Sequence, residues 1–143
     1  MMENSMISEE YKNRVGEEWE VGVYDIEKGM IRQFVQAVAD PNPRWQNEAP
    51  PGFILTVGGE QFGQLLGKVF PAGLLHGSTE LECYQPVRAG DKIKVTVKLA
   101  DIRERLSART AFVTFDITYI NQGGEMVARC RQKMVGYDSG GQA

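Results

Sequence analysis

Pro50-Pro51-Gly52-Phe53-Ile54-Leu55-Thr56-Val57-Gly58-Gly59-Glu60-Gln61-Phe62-Gly63-Gln64-Leu65-Leu66 decides the fold. Its first half is apolar nearly all round, and a helix of that character must be enclosed by other structure. Its glycines weaken a helix by about 1 kcal/mol each relative to alanine, yet let a sheet approach closely. The stretch therefore predicts a helix from about Gly52 to Leu66 wrapped by a sheet, with Gly58-Gly59 as the place where it would bend or break.

The sheet is legible on the C-terminal side. From His76 onward the pattern has the period of strands: Ile93, Val95, Val97 and Leu99 alternate with Lys92, Lys94, Thr96 and Lys98, one set for a core and one for water. Ala111, Val113, Phe115, Ile117 and Tyr119 repeat it. Asn121-Gln122-Gly123-Gly124 supplies residues that tolerate positive φ, and Met126, Ala128, Cys130 and Met134 follow on one side of the next strand, which makes an antiparallel hairpin.

On the N-terminal side, Glu18 to Tyr24 alternates like a short strand, and Ile26 to Ala39 changes to helical period. Met30, Ile31, Phe34, Val35 and Val38 recur at spacings of three and four and share one helix face. Asp40-Pro41-Asn42-Pro43 ends that helix, because each proline lacks an N–H and disfavours α geometry in the residue before it. The elements sum to an α+β layout, one antiparallel sheet on one central helix, within a single domain spanning residues 1–143. The ordered core runs from about 11 to 137, with loose ends at Met1 to about Glu9 and Asp138 to Ala143.

Composition narrows the function classes. A net charge of -3 and a pI near 5.2 give no overall attraction to nucleic acid or to acidic membrane surfaces. No apolar run approaches a bilayer span, and the first five residues lack the basic and apolar regions of a signal peptide, so a cytoplasmic protein is expected. Cys83 and Cys130 lack CxxC spacing and read as small core residues; with a single histidine, they do not make a zinc site. Gly-rich phosphate loops, a serine elbow and a cysteine–histidine pair are absent from the sequence.

Several short motifs, taken in order, resemble the N-terminal-type domain of the MaoC-like dehydratases. They are Ile31 to Phe34 with Ala39 to Pro43, Ala49 to Phe53, Leu75-His76-Gly77, Glu82 to Asp91, and the hairpin Asn121 to Glu125. The resemblance covers roughly residues 11 to 137. It implies a hot-dog fold, a helix wrapped by an antiparallel sheet, and pairing with a second hot-dog domain. It also implies enoyl or R-3-hydroxyacyl thioesters of coenzyme A or acyl carrier protein as substrates; no metal and no cofactor is expected. Fold alone does not choose the reaction, since hot-dog domains also include thioesterases and inert partners.

Hydration of an activated double bond needs a base for water, an acid for the α-carbon, and donors to the thioester oxygen. Related hydratases take the first two from a loop resembling D-x-N-P-x-H. Here that loop is Asp40-Pro41-Asn42-Pro43-Arg44-Trp45, and indole carries no titratable nitrogen near neutral pH. Asp40 is either a loop residue bonding nearby backbone or a remnant water-orienting carboxylate. Trp45 packs or walls an acyl pocket. His76, the only histidine, either braces backbone or serves as the missing base.

The resemblance also places Asn42, Phe53 and Arg88 on the substrate side. Gly52 is either a turn residue or a backbone donor to the thioester oxygen at a helix start. Arg88, Arg103, Arg105, Arg109, Arg129, Arg131 and Lys133 are cations on or beside the strands, of which some, Arg88 among them, suit the phosphates of coenzyme A and most form an ordinary solvated face. The expected product is a hydratase subunit acting as a homodimer, or as a heterodimer with a histidine-bearing hot-dog chain. The alternatives are a non-enzymatic acyl-thioester-binding protein and a thioesterase using Asp40 or a glutamate.

Overall fold

A single left-handed residue ends the first long helix and aims the loop after it. In the computed structural model, which describes residues 6–138, helix α2 spans Lys28–Val38 and stops where Ala39 turns left-handed at φ 54°. The Ala39 N–H donates to the Gln36 carbonyl at 3.2 Å, and the Asp40 N–H reaches back to the Val35 carbonyl at 3.3 Å. That pair of bonds is a Schellman stop, which satisfies carbonyls the helix would otherwise leave open. Ile31 is buried on the inward face of α2, with Met30, Phe34 and Val35 half-buried beside it, whereas Val38 is 50% exposed. The last turn of the expected apolar stripe therefore faces outward.

Around α2 the chain runs through α1, Glu9–Lys12, and β1, Glu18–Asp25, before it; two short 3-10 turns follow, Pro43–Gln46 and Pro51–Thr56. Helix α3, Gly59–Val69, comes next, then β2 (Leu74–Cys83), β3 (Lys92–Arg105), β4 (Thr110–Ile120) and β5 (Met126–Tyr137). The five strands form one antiparallel sheet in the order β1-β3-β4-β5-β2. Strands β3, β4 and β5 alternate as their sequences require. Ile93, Val95, Val97, Leu99, Ala111, Val113, Phe115, Ile117, Tyr119, Cys130 and Met134 are buried on the inner face.

The helix expected from Gly52 to Leu66 divides in two. Gly58 adopts φ +74°, a left-handed conformation that glycine enters at no steric cost, and it separates the apolar 3-10 turn from α3. Phe53, Ile54 and Val57 in or beside the turn are buried. In α3 only one face packs on the sheet, with Phe62 edge-on to Phe115 at 5.4 Å, while Glu60, Gln61, Gly63, Gln64, Gly67 and Lys68 are exposed. The sheet thus covers the central helix on one side within this chain.

Two further expectations are corrected. The leader is not loose throughout: Met6 and Ile7 are buried, and the Ser8 N–H donates to the Val69 carbonyl at 2.9 Å. Residues 1–5 and 139–143, also expected to be loose, lie outside the described residues. Cys130 is in the core, but Cys83, the last residue of edge strand β2, is exposed.

Candidate functional site

The Schellman stop delivers Asp40 to the mouth of a cavity. Its Oδ1 accepts the Asn42 N–H at 3.1 Å, an Asx-type turn. Asn42 in turn accepts the Arg44 N–H at 3.0 Å, capping the 3-10 turn that Pro43 begins. One winding of that turn brings Trp45 back, and its indole Nε1–H donates to Asp40 Oδ2 at 2.8 Å. Both carboxylate oxygens are thereby engaged by donors. The spacing of five residues that would join an acid to a histidine here joins it to an indole.

Trp45 stands between two cavities. One, of about 610 Å³, is walled by Asp40, Asn42, Trp45, Arg88, Lys28 and Arg32 among others. The second, about 260 Å³, has Trp45, Ile54, Cys83, Tyr84 and Val87 in its lining. Glu48 ties the two mouths together. It pairs with Arg44 at 2.5 Å and with Arg88 at 3.5 Å, its own side chain only 12% exposed, and the Arg44 guanidinium lies 5.6 Å from the Trp45 ring centroid. Cys83 is exposed as a residue, but partial desolvation of its Sγ against the cavity wall pushes the thiol above its usual range, so the smaller cavity holds a thiol rather than a nucleophilic thiolate.

Of the residues singled out in the sequence, the fold gathers Asp40, Asn42, Trp45 and Arg88 around one cavity. Phe53 is elsewhere, 1% exposed and edge-on to Phe34 at 5.8 Å. That makes it a core residue contributing about 1.5–3 kcal/mol by burial. Gly52 is half-buried beside Phe34 and lines neither cavity. It precedes the first 3-10 bond, from the Phe53 N–H to the Pro50 carbonyl at 2.9 Å, so its own N–H falls outside the turn's bonding pattern.

His76 lies on exposed β2, outside both cavities. Its Nε2 is 2.7 Å from Thr79 Oγ1 and 3.1 Å from Gln132 Oε1, and Thr79 also donates to Gln132 at 2.6 Å. That closed network occupies Nε2 with neighbours on β2 and β5. Among the described residues, no group of three or more His, Cys, Asp or Glu side chains is placed to hold a metal ion. No helix there is long and apolar enough to cross a membrane.

Lys28, Arg32 and Glu48 are site residues that the sequence did not single out. A signal for the first two was present. Lys28 and Arg32 are four apart on α2, where like charges cost a helix about 0.2–0.5 kcal/mol, and Lys28 sits in the first turn, next to the positive end of the helix dipole.

Known proteins resemble this chain over most of its length. Residues 13–130 match the family model for the FAS1-like, dehydratase domain region. A UPF0336 protein of Streptomyces avermitilis is 27% identical over 129 residues, covering 78% of this chain and 84% of its own length. The MaoC-like dehydratase from Rhodospirillum rubrum superposes with a TM-score of 0.69 at 24% identity, over 87% of this chain and 92% of its own. A chain from the C-terminally truncated HadBC (3R-hydroxyacyl-ACP dehydratase) complex of Mycobacterium tuberculosis gives a TM-score of 0.74 at 19% identity, over 87% and 98%.

Proposed function

This chain belongs to the FAS1-like dehydratase-domain family, and from that premise we propose that it is one subunit of an R-specific enoyl-thioester hydratase, or of the reverse 3-hydroxyacyl-thioester dehydratase. In that role it binds and positions the acyl thioester and braces a second hot-dog chain, which supplies the histidine. The observation that carries this is the 2.8 Å bond from Trp45 Nε1 to Asp40 Oδ2. The indole donates to the carboxylate but cannot take a proton from water or return one to carbon. Asp40 can still accept a hydrogen bond from a water or a hydroxyl at its remaining lone pairs, which orients a ligand without completing general acid–base catalysis.

The free edge of β2 supports pairing. Ten residues of strand, Leu74–Cys83, have β5 on one side only, and natural proteins cover such edges. A related fold occurs in the HadBC complex, so a heterodimer with a histidine-bearing chain is one form of the pairing and a homodimer the other. The same Asp40–Trp45 bond also supports a second reading, an acyl-thioester-binding protein that does not turn its ligand over.

Mixing separates them. The chain is assayed for hydration of a trans-enoyl thioester alone and with a hot-dog chain carrying both Asp and His. The expected result is weak activity alone and restoration in the mixture, with Asp40→Asn here less damaging than loss of the partner's histidine. General acid–base groups contribute about 10²–10⁴ in rate, so the difference is measurable. Turnover by the isolated chain that disappears in His76→Ala would sink the proposal.

A further inference from the structure

The larger cavity has a charge distribution that the Asp40–Trp45 pair does not use. Lys28 and Arg32 from α2 and Arg88 from the loop before β3 line it, against a single carboxylate, Asp40. The chain as a whole is acidic, at -3, so this wall is a local reversal of sign. Lys28 and Arg32 form no ion pair among the described residues. Both oppose helix stability, one by its place at the positive end of α2 and both by mutual repulsion at i,i+4. Residues that break a local rule without structural return mark functional positions.

Arg88 is held differently. Glu48 binds one edge of its guanidinium at 3.5 Å, and the other N–H groups remain for a ligand.

The cavity is also long. Asp40 follows the C-terminal end of α2 and Lys28 begins it, and the eleven-residue helix separates those ends by about 15 Å at about 1.5 Å per residue. Arg32 lies one turn in from Lys28. A ligand touching both Lys28 and Asp40 is therefore elongated, with its anionic group at the Lys28 end.

We propose that Lys28, Arg32 and Arg88 bind the phosphate end of a pantetheine arm whose acyl end reaches Asp40 and Trp45. This rests on the hydratase reading, in which the ligand is an acyl thioester. The phosphate belongs either to the diphosphate of coenzyme A or to the phosphodiester that joins the arm to a carrier protein.

Calorimetric titration of the full chain, in the oligomer it forms, tests this with three probes: coenzyme A, 4′-phosphopantetheine and pantetheine. The phosphate-bearing arm is expected to bind at least about tenfold tighter than pantetheine, the size of a charge-assisted contact. The double variant Lys28→Ala/Arg32→Ala is expected to abolish that preference. Both side chains are exposed, so folding should be unaffected. Coenzyme A binding tighter than 4′-phosphopantetheine assigns the nucleotide source, and equal binding assigns the carrier.

Equal affinity for phosphopantetheine and pantetheine, undiminished coenzyme A binding by the double variant, or no heat with any probe would each overturn the proposal. Its failure is distinct from failure of the hydratase reading. Hydration in the presence of the histidine-bearing partner, with binding indifferent to Lys28 and Arg32, removes the phosphate site alone. Phosphate-dependent binding without turnover removes the hydratase alone.

Discussion

At Trp45, one nitrogen decides between positioning and proton transfer. The indole N–H holds Asp40 Oδ2 at 2.8 Å from a half-buried position, and a hydrogen bond to a charged acceptor contributes about 1.5–3 kcal/mol when well shielded. Trp45→Phe should therefore lower stability by about 1–2 kcal/mol in urea denaturation and free Asp40 to rotate. Trp45→His restores a nitrogen that can titrate. In the isolated chain it should raise hydration of an enoyl thioester by up to about 10²–10⁴ over the unsubstituted protein, measured by loss of enoyl absorbance. An unchanged rate, with the fold intact, would mean that the rest of the catalytic geometry is missing as well. That Trp45 stands where related hydratases carry histidine was legible from the resemblance of the loop Asp40 to Trp45. The bond to Asp40 was not, because it depends on how tightly the turn Pro43–Gln46 winds, and five residues of loop allow many orientations of a ring.

At the scale of an element, α2 and the segment after it show where sequence reading stopped. The helical period from Ile26 to Ala39 was clear, and the observed Lys28–Val38 lies within it. Its stop is carried by Ala39 at φ 54°, a conformation that costs an L-residue about 1–2 kcal/mol and glycine little. Ala39→Gly should therefore raise stability by about 0.5–1 kcal/mol by chemical denaturation, contrary to the usual penalty of glycine near a helix. A loss of stability would show that the left-handed turn is not what ends the helix. The buried helix was legible as apolar composition and Gly58-Gly59 as its point of breakage, which Gly58 at φ 74° is; that the first half winds as a 3-10 turn was not legible, because apolar composition does not distinguish the two windings. Phe53 read as a substrate contact because it opens that segment, and it proved to be core because the 3-10 turn points it at Phe34.

Across the whole molecule, the inner face followed from alternation, whereas the strand order β1-β3-β4-β5-β2 and the meeting of three distant segments at the site did not. Lys28, Asp40 and Arg88 share one cavity, and the Gly90 N–H donates to the Ile26 carbonyl and the Ile26 N–H to the Asp91 carbonyl, each at 2.8 Å, tying the loop before β3 to the residues before α2. On the outer face, charges pair across strands instead. Arg131 of β5 clamps Asp116 of β4 through two bonds, at 2.7 and 2.9 Å. The Arg131 hydrogen bond is the main cause that holds the Asp116 carboxyl below its ordinary value, partly offset by burial.

A depressed folded value gives stability that is complete above the unfolded aspartate range, near about pH 4, and is lost as the pH falls through the lower folded value. Wild type should therefore lose stability below about pH 4 more steeply than Asp116→Asn, in denaturation midpoints followed downward from neutral pH. Parallel slopes would show that the clamp contributes nothing to acid sensitivity.

The exchange of imidazole for indole has an optical side as well. Trp45 borders both cavities, and the chain's other tryptophan, Trp19, lies on β1 with its ring 6.4 Å from that of Tyr11. With Trp19→Phe in place, the remaining emission comes from the wall of the site alone. Under the proposed function, entry and exit of the acyl thioester would register as a change in Trp45 fluorescence, and occupancy could be timed in the isolated chain apart from turnover.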